Sequence, residues 1–173
     1  MPAYFWQDYG ERPEAYGAKG DGSTDDTAAI MAADDAARSR GTYVQFGPTT
    51  YRCHLTWRAG ADWRGAGFKG STHEHSTTLL GPSGTATVTM DPTTVVYNAR
   101  MERLRVESGG GGAAALNKTD QEQHDGLMFD TVSLVSNTGA GISVLGGISG
   151  VTMLDSYVFG APYGLDLSIP STH

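Results

Sequence analysis

The stretch Ala15-Tyr-Gly-Ala-Lys-Gly-Asp-Gly-Ser-Thr-Asp-Asp-Thr-Ala-Ala-Ile30 joins a glycine-rich turn directly to the start of a helix. Its three glycines allow positive φ or a close backbone approach, where other residues would be strained. Thr24 or Asp25 is expected to cap the free amides of a helix that runs to about Arg40. Gly41 follows at a position that favours a helix end.

The next segment, Thr42-Tyr-Val-Gln-Phe-Gly-Pro-Thr-Thr-Tyr-Arg52, predicts a strand, a Gly-Pro corner and a second strand. This order of turn, Ala-rich helix and strand pair closely resembles the N-terminal module of the pectate-lyase-like, right-handed parallel β-helix proteins. That family includes polygalacturonases and phage tailspikes. The resemblance implies a mostly β fold, a short right-handed parallel β-helix with an N-terminal capping α-helix. It implies no chemistry, because in this family the module caps the helix end and catalytic groups sit on later coils.

The rest of the chain predicts short strands and turns, and its last third repeats weakly. Phe129–Val144 can be laid over Leu154–Leu167, and Met101–Val106 is a fainter copy. The offset of about 25 residues is that of one coil in a parallel β-helix, whose strands stack about 4.8 Å apart. We therefore expect about five coils.

One domain is expected at this length. It has an aromatic arm over residues 1–14, a capping turn and helix over 15–41, and coils over 42–173. Segment 108–126 begins with a serine and four glycines and is predicted to be a loop insertion. Such a loop is either a solvated excursion or a carrier of function.

Charge and composition exclude several classes of protein. Twelve basic and nineteen acidic residues give a net charge of −7, which argues against a basic nucleic-acid footprint. No run is long enough to span a membrane, and residues 1–20 show no signal peptide. Cys53 is the single cysteine, so no internal disulfide can form, and it is expected to be buried. We predict no nucleic-acid partner, no membrane partner and no cofactor.

Asp130 and Asp155 are the candidate catalytic residues, because the repeat aligns them on neighbouring coils. Facing outward together they would lie about 5 Å apart, close to the separation of a retaining glycosidase pair. Each also lies where a coil is expected to turn, and Asp is favoured there for local hydrogen bonds. The polygalacturonase site resembles Asn-Thr-Asp, Asp-Asp, Gly-His-Gly and Arg-x-Lys. Here Asn137-Thr138-Gly139 lacks the carboxylate, and the last two motifs are absent.

Arg100, Arg103 and Arg105 form a basic patch that is a candidate for binding an acidic sugar chain by charge-assisted hydrogen bonds. The alternative is that these arginines pair with neighbouring acids or with another subunit. Trp57 and Trp63 would stack on sugars if they are exposed, and would fill the interior if they are buried.

Two groups of residues could in principle bind a cation, but no metal site is predicted from them. His73-Glu74-His75 has no further partner at zinc spacing. The spacing of the acidic group that follows the glycine run fits no calcium loop. That group consists of Asp120, Glu122, His124 and Asp125.

The arm carries four aromatic residues, Tyr4, Phe5, Trp6 and Tyr9. They either pack back on the first coil or the capping helix, or dock to another subunit, since exposed aromatics are typical interface anchors.

Three functions follow from these observations. The first is a structural or adhesive protein resembling a phage tailspike or tail-fibre segment, which contacts host-surface glycan. It would form a homotrimer, bind other virion proteins and be located on the virion or outside the cell. The second is a polysaccharide lyase or glycoside hydrolase of the pectate-lyase-like class, complete or truncated. The third is a non-catalytic carbohydrate-binding module. The absent motifs favour a protein without catalytic activity.

Overall fold

The computed structural model describes residues 10–67, 76–120 and 123–168. Their helices are a 3₁₀ helix over Pro13–Tyr16 and the α-helix α1 over Thr27–Arg40. The strands are β1 (Asp21–Asp25), β2 (Val44–Gln45), β3 (Thr50–Arg52), β4 (Leu55–Trp57), β5 (Asp62–Arg64), β6 (Thr78–Leu80), β7 (Val88–Met90), β8 (Arg100–Glu107), β9 (Leu116–Lys118), β10 (Met128–Ser136), β11 (Ile142–Leu145), β12 (Thr152–Leu154), β13 (Tyr157–Gly160) and β14 (Leu165–Ser168). Neither of the described helices is long and apolar enough to cross a membrane.

The strands stack as three parallel columns of a β-solenoid. The first column runs β2, β5, β8, β10, β12, and the second runs β1, β3, β6, β8, β10, β13. They share one sheet because β8 and β10 are long enough to pass through both columns. The third column, β4, β7, β9, β11 and β14, is a separate sheet. These strands make about five coils, which confirms the predicted mostly β fold and coil number.

The long strands bend between the first two columns at residues with positive φ. Arg103 (52°) bends β8 and Thr131 (57°) bends β10, while Asp155 (44°) lies between β12 and β13. The bend interrupts the alternation of the strand, so both Met101 and Leu104 face the interior. A residue with a side chain pays roughly 1–2 kcal/mol for this left-handed backbone conformation. The hydrogen bonds between strands on both sides of each bend must therefore stabilise it.

Large side chains fill the interior of the first coils. Trp57 and Trp63 are fully buried. The ring centroid of Trp57 lies 5.3 Å from that of Phe129 and 6.4 Å from that of Trp63. These two contacts link three coils through aromatic packing. Such packing contributes stability beyond that gained by burying the rings.

Helix α1 closes the N-terminal end of the solenoid, as the sequence predicts. Its buried Asp34 accepts hydrogen bonds from Trp63 Nε1 at 2.8 Å and Arg58 Nη2 at 2.6 Å. Gly41 ends the helix with a φ of 65°. At the other end the N-cap residue is Asp26 rather than the predicted Thr24 or Asp25, and its side chain makes no capping hydrogen bond because it accepts the Lys19 and Gly20 amides of the glycine-rich turn. The Asp25 carboxylate accepts the Thr27 amide at 3.0 Å.

The prediction that 108–126 is a loop insertion is wrong. The segment contains β9, which pairs in parallel with β7 on one side and β11 on the other. The residues around β9 are turns that connect it to the neighbouring strands. The segment therefore belongs to the third coil.

Candidate functional site

A charged surface crosses three coils of the first column. We define the charged ladder as Asp62, Arg64, Arg100, Glu102, Arg103 and Asp130. Five of these residues flank the buried Trp63, Met101 and Phe129 in their strands, so they lie on the outer face. Arg103 lies at the bend of β8, and its side chain is half-exposed. Register pairs Asp62 with Arg100, and aligns Arg64, Glu102 and Asp130 in one row. Acids and bases of adjacent coils therefore come within contact distance.

Arg100 joins the two carboxylates at the centre of the ladder. Its Nη2 lies 2.9 Å from Glu102 Oε2 and 3.3 Å from Asp130 Oδ2. Arg103 Nε is 3.0 Å from the other oxygen of Glu102, and Arg64 Nε is 3.8 Å from Oε2. Glu102 thus contacts three guanidinium groups. The Glu102 side chain is 16% exposed, so these contacts are only partly screened by water.

Arg64 is held in place by two neighbours. The Asp62 carboxylate accepts its Nε at 3.1 Å and its Nη2 at 2.7 Å, a bidentate arrangement. This hydrogen bonding raises the pKa of Arg64 above its ordinary value. The guanidinium also lies 4.0 Å from the ring centre of Tyr43. Arg64 is therefore a fixed positive charge at the edge of the ladder.

A groove lies on each side of the charged ladder. One, of about 460 Å³, is lined by Arg12, Glu14, Gln45, Phe46 and Arg103 among others. The second, of about 430 Å³, is lined by Arg38, Thr42, Asp62, Asn98 and Arg100 among others. The Arg103 side chain is 50% exposed. The ladder therefore lies between two open grooves, and charged ladder residues line each of them.

The structure separates the predicted binding residues. Arg100 and Arg103 both lie in the ladder, whereas Arg105 lies in the second column and pairs with Glu107 at 2.8 Å. Trp57 and Trp63 are buried, so the expectation that they stack on sugars is wrong. Their size makes them suited to fill the interior, which was the alternative.

The alignment of Asp130 with Asp155 is also wrong. Asp130 pairs with Leu154. Asp155 comes one residue later and forms the bend of the last coil, as Thr131 forms the bend of the coil before it. Asp tolerates positive φ better than most residues, so it can form the bend itself. The partner of Asp130 in register is Glu102 on the preceding coil.

Sequence reasoning missed Asp62, Arg64 and Glu102 as members of the site. A signal was present in three triplets that place a large apolar residue beside charged ones. They are Asp62-Trp63-Arg64, Arg100-Met101-Glu102 and Met128-Phe129-Asp130. The unequal coil lengths hid this repeat, because the triplets are 38 and then 28 residues apart.

A second polar cluster lies inside the third coil. The fully buried Lys118 donates through Nζ to Asp120 Oδ1 at 3.0 Å and to the Leu145 carbonyl at 2.8 Å. His124 Nε2 lies 3.0 Å from both Asp120 oxygens. His124 Nδ1 accepts the Val96 amide at 2.7 Å, so the ring proton is on Nε2 and points to Asp120.

Burial of the Asp120 carboxylate raises its pKa, but the hydrogen bonds from Lys118 and His124 outweigh burial and leave the pKa below its ordinary value. The cluster is closed and acts as an internal support. Among the described residues, no three His, Cys, Asp or Glu side chains are grouped to hold a metal. His73, Glu74, His75 and Glu122 lie outside the described residues, as do Tyr4, Phe5, Trp6 and Tyr9.

Comparison with known proteins assigns no family. No protein-family model matches the sequence, and no curated protein matches it. Among solved structures, the chain is similar to a protein from Parabacteroides merdae ATCC 43184 that is described as a candidate glycosyl hydrolase. The identity is 14%, the TM-score is 0.47, and the match covers 92% of this chain and 95% of that one. A likeness this weak supports neither a family nor an activity.

Proposed function

We propose that this chain is a structural, adhesive β-solenoid of the pectate-lyase-like class that binds a polysaccharide across the charged ladder. The observation that carries the proposal is the half-exposed side chain of Arg103, a member of the charged ladder that also lines the larger groove. Arginine presents several donors in a rigid fork, which suits carboxylates and hydroxyls of an acidic sugar chain. Paired acids in the ladder accept hydrogen bonds from sugar hydroxyls.

Binding is tested by affinity electrophoresis in gels that contain polygalacturonate or, for comparison, neutral dextran. We expect the polygalacturonate gel to retard the protein. Arg103→Ala should weaken this binding about tenfold, since a lost charged contact costs about 1.4 kcal/mol. Arg52→Ala is the matched control, because Arg52 is an exposed arginine of β3 in the second column and lines neither groove. Equal retardation of the wild type and Arg103→Ala would contradict the proposal.

A polysaccharide lyase or glycoside hydrolase is the second candidate, and one observation favours it. Glu102 and Asp130 share Arg100 Nη2, so their nearest oxygens are at most about 6 Å apart, which allows the roughly 5–5.5 Å separation of a retaining glycosidase pair. The ion pairs argue against an enzyme, because both carboxylates already contact arginine side chains. A hydrolase needs one acid free to donate a proton to the leaving group.

Cleavage is tested by following new reducing ends and unsaturated uronate ends in polygalacturonate. Activity that disappears in both Glu102→Gln and Asp130→Asn, and survives in Asp155→Asn, would establish an enzyme with this pair. Binding without product supports the adhesive function. The homotrimer, the virion partners and the virion or extracellular location that accompany this function are part of the proposal.

A further inference from the structure

The C-terminal end of the solenoid is an apolar surface, which we call the open end. Val151, Met153 and Leu165 are 45%, 39% and 54% exposed. The residues one coil earlier, Leu127, Phe129 and Ile142, are buried. The exposed residues border a hollow of about 280 Å³ whose floor includes Phe129 and Val144. Among the described residues, β12, β13 and β14 pair only with the preceding coil.

The opposite end of the solenoid is closed by α1, so a second copy cannot stack there coil on coil. Gly10 and Glu11 nevertheless lie at that end. Glu11 pairs in parallel with Val44, and Gln45 donates its amide to the Glu11 carbonyl at 2.8 Å. Val44 heads the row that continues through Trp63, Met101 and Phe129 and finishes at Met153. Residues 1–9, the part of the aromatic arm that precedes this pairing, are therefore attached at the start of the row that finishes beside the hollow.

We propose that residues 1–9 of a second copy bind the open end, with Tyr4, Phe5 and Trp6 in the hollow. In a head-to-tail pair with α1 between the two solenoids, the arm of one copy would bridge to the end of the Met153 row of the next. Aromatic side chains suit an apolar hollow of this kind, where they bury large areas at a small entropy cost.

The length of the arm favours a second copy over the same chain. The arm and its own open end are five strand spacings apart, about 24 Å. Trp6 is four residues from Gly10, and four fully extended residues span at most about 14 Å, so Trp6 cannot reach the open end of its own chain. Because the arm and the open end are different surfaces, the contact is heterologous and repeats from copy to copy.

Light scattering of the full chain over a range of concentrations tests this inference. We expect the average mass to rise with concentration. Met153→Lys and Trp6→Ser should each weaken association at least tenfold, and an excess of a peptide of residues 1–10 should dissociate the assemblies. Tyr97→Lys is the control for added charge, because Tyr97 is exposed away from the open end. Circular dichroism checks that the variants fold.

A mass that does not change with concentration, monomeric or trimeric, would overturn the inference. So would association that Met153→Lys leaves intact. Neither result depends on glycan binding, so the inference and the proposed function fail separately.

Discussion

Asp34 connects the capping helix α1 to the solenoid by hydrogen bonds. It lies on α1, is fully buried, and accepts hydrogen bonds from Arg58 and Trp63 of the first two coils. Asp34→Ala leaves Arg58 without its buried partner, and we expect the free energy of unfolding to fall by about 3–5 kcal/mol. Urea denaturation followed by tryptophan fluorescence measures the change.

Asp35→Ala is the matched control for Asp34→Ala. Asp35 also contacts Arg58, at 2.7 Å, but its side chain is 63% exposed. Exposed ion pairs contribute little, so the expected loss is at most about 1 kcal/mol. Similar losses in the two variants would show that burial of Asp34 is unimportant for the cap.

Asp120 should make the stability of the protein depend on pH. Its pKa is lower in the folded chain than the ordinary value, so the folded state favours the charged carboxylate. The resulting stability is complete above the unfolded pKa of about 3.9, and is lost as the pH falls through the lower folded value. We expect the stability difference between wild type and Asp120→Asn to be largest at neutral pH and to shrink below about pH 4. Urea denaturation across this range measures it, and a difference that is constant with pH would contradict the assignment.

The property that was hardest to predict is whether a given strand residue points to the interior or to the surface. A strand places neighbours on opposite faces, so a shift of one residue moves a side chain from the surface to the interior. Asp155 lies at a bend that introduces such a shift, so Asp155 is not in the row of Asp130. The sequence alone does not show which residue forms the bend, because Arg103, Thr131 and Asp155 do so in successive coils.

At the scale of elements, the bends are sites of local strain that a substitution can relieve. Thr131 is β-branched and has a φ of 57°, a conformation that glycine adopts without steric strain. Thr131→Gly should raise the free energy of unfolding by about 1 kcal/mol. Thr89→Gly, in the regular strand β7, should lower it by about 1 kcal/mol. Thermal denaturation of both variants provides the comparison, and a loss of stability in Thr131→Gly would show that the bend is not strained.

The elements of the N-terminal module were predictable because each has a local signal. Gly41 ends α1, and the alternating residues after it form β2 and β3. β9 had no such signal. One of its two inward positions is occupied by Lys118, a residue that patterns of hydrophobicity place at the surface. Only the fold brings Asp120 and the Leu145 carbonyl to its ammonium group and allows its burial.

At the scale of the whole molecule, stability should decrease from the capped end to the open end. In a stacked fold each coil contacts only its neighbours, and the terminal coils depend on a cap. α1 caps the first coil, whereas the described side chains of β12–β14 are largely exposed. Under dilute conditions, amides of β13 should therefore exchange with solvent roughly hundredfold faster than those of β8 and β10. Hydrogen exchange followed by mass spectrometry measures this order.

A variant of the cap separates this gradient from a general loss of stability. Ile30 is fully buried on α1, and Ile30→Ala should remove about 2–5 kcal/mol from its packing. If coils open one at a time, exchange should rise first in β2–β4 beneath the cap, while β10 and β13 change little. If the solenoid unfolds in one step, the variant raises exchange equally in the protected amides of every coil. The second pattern would mean that the open end is held as firmly as the rest, and that its exposed apolar residues do not weaken the last coil.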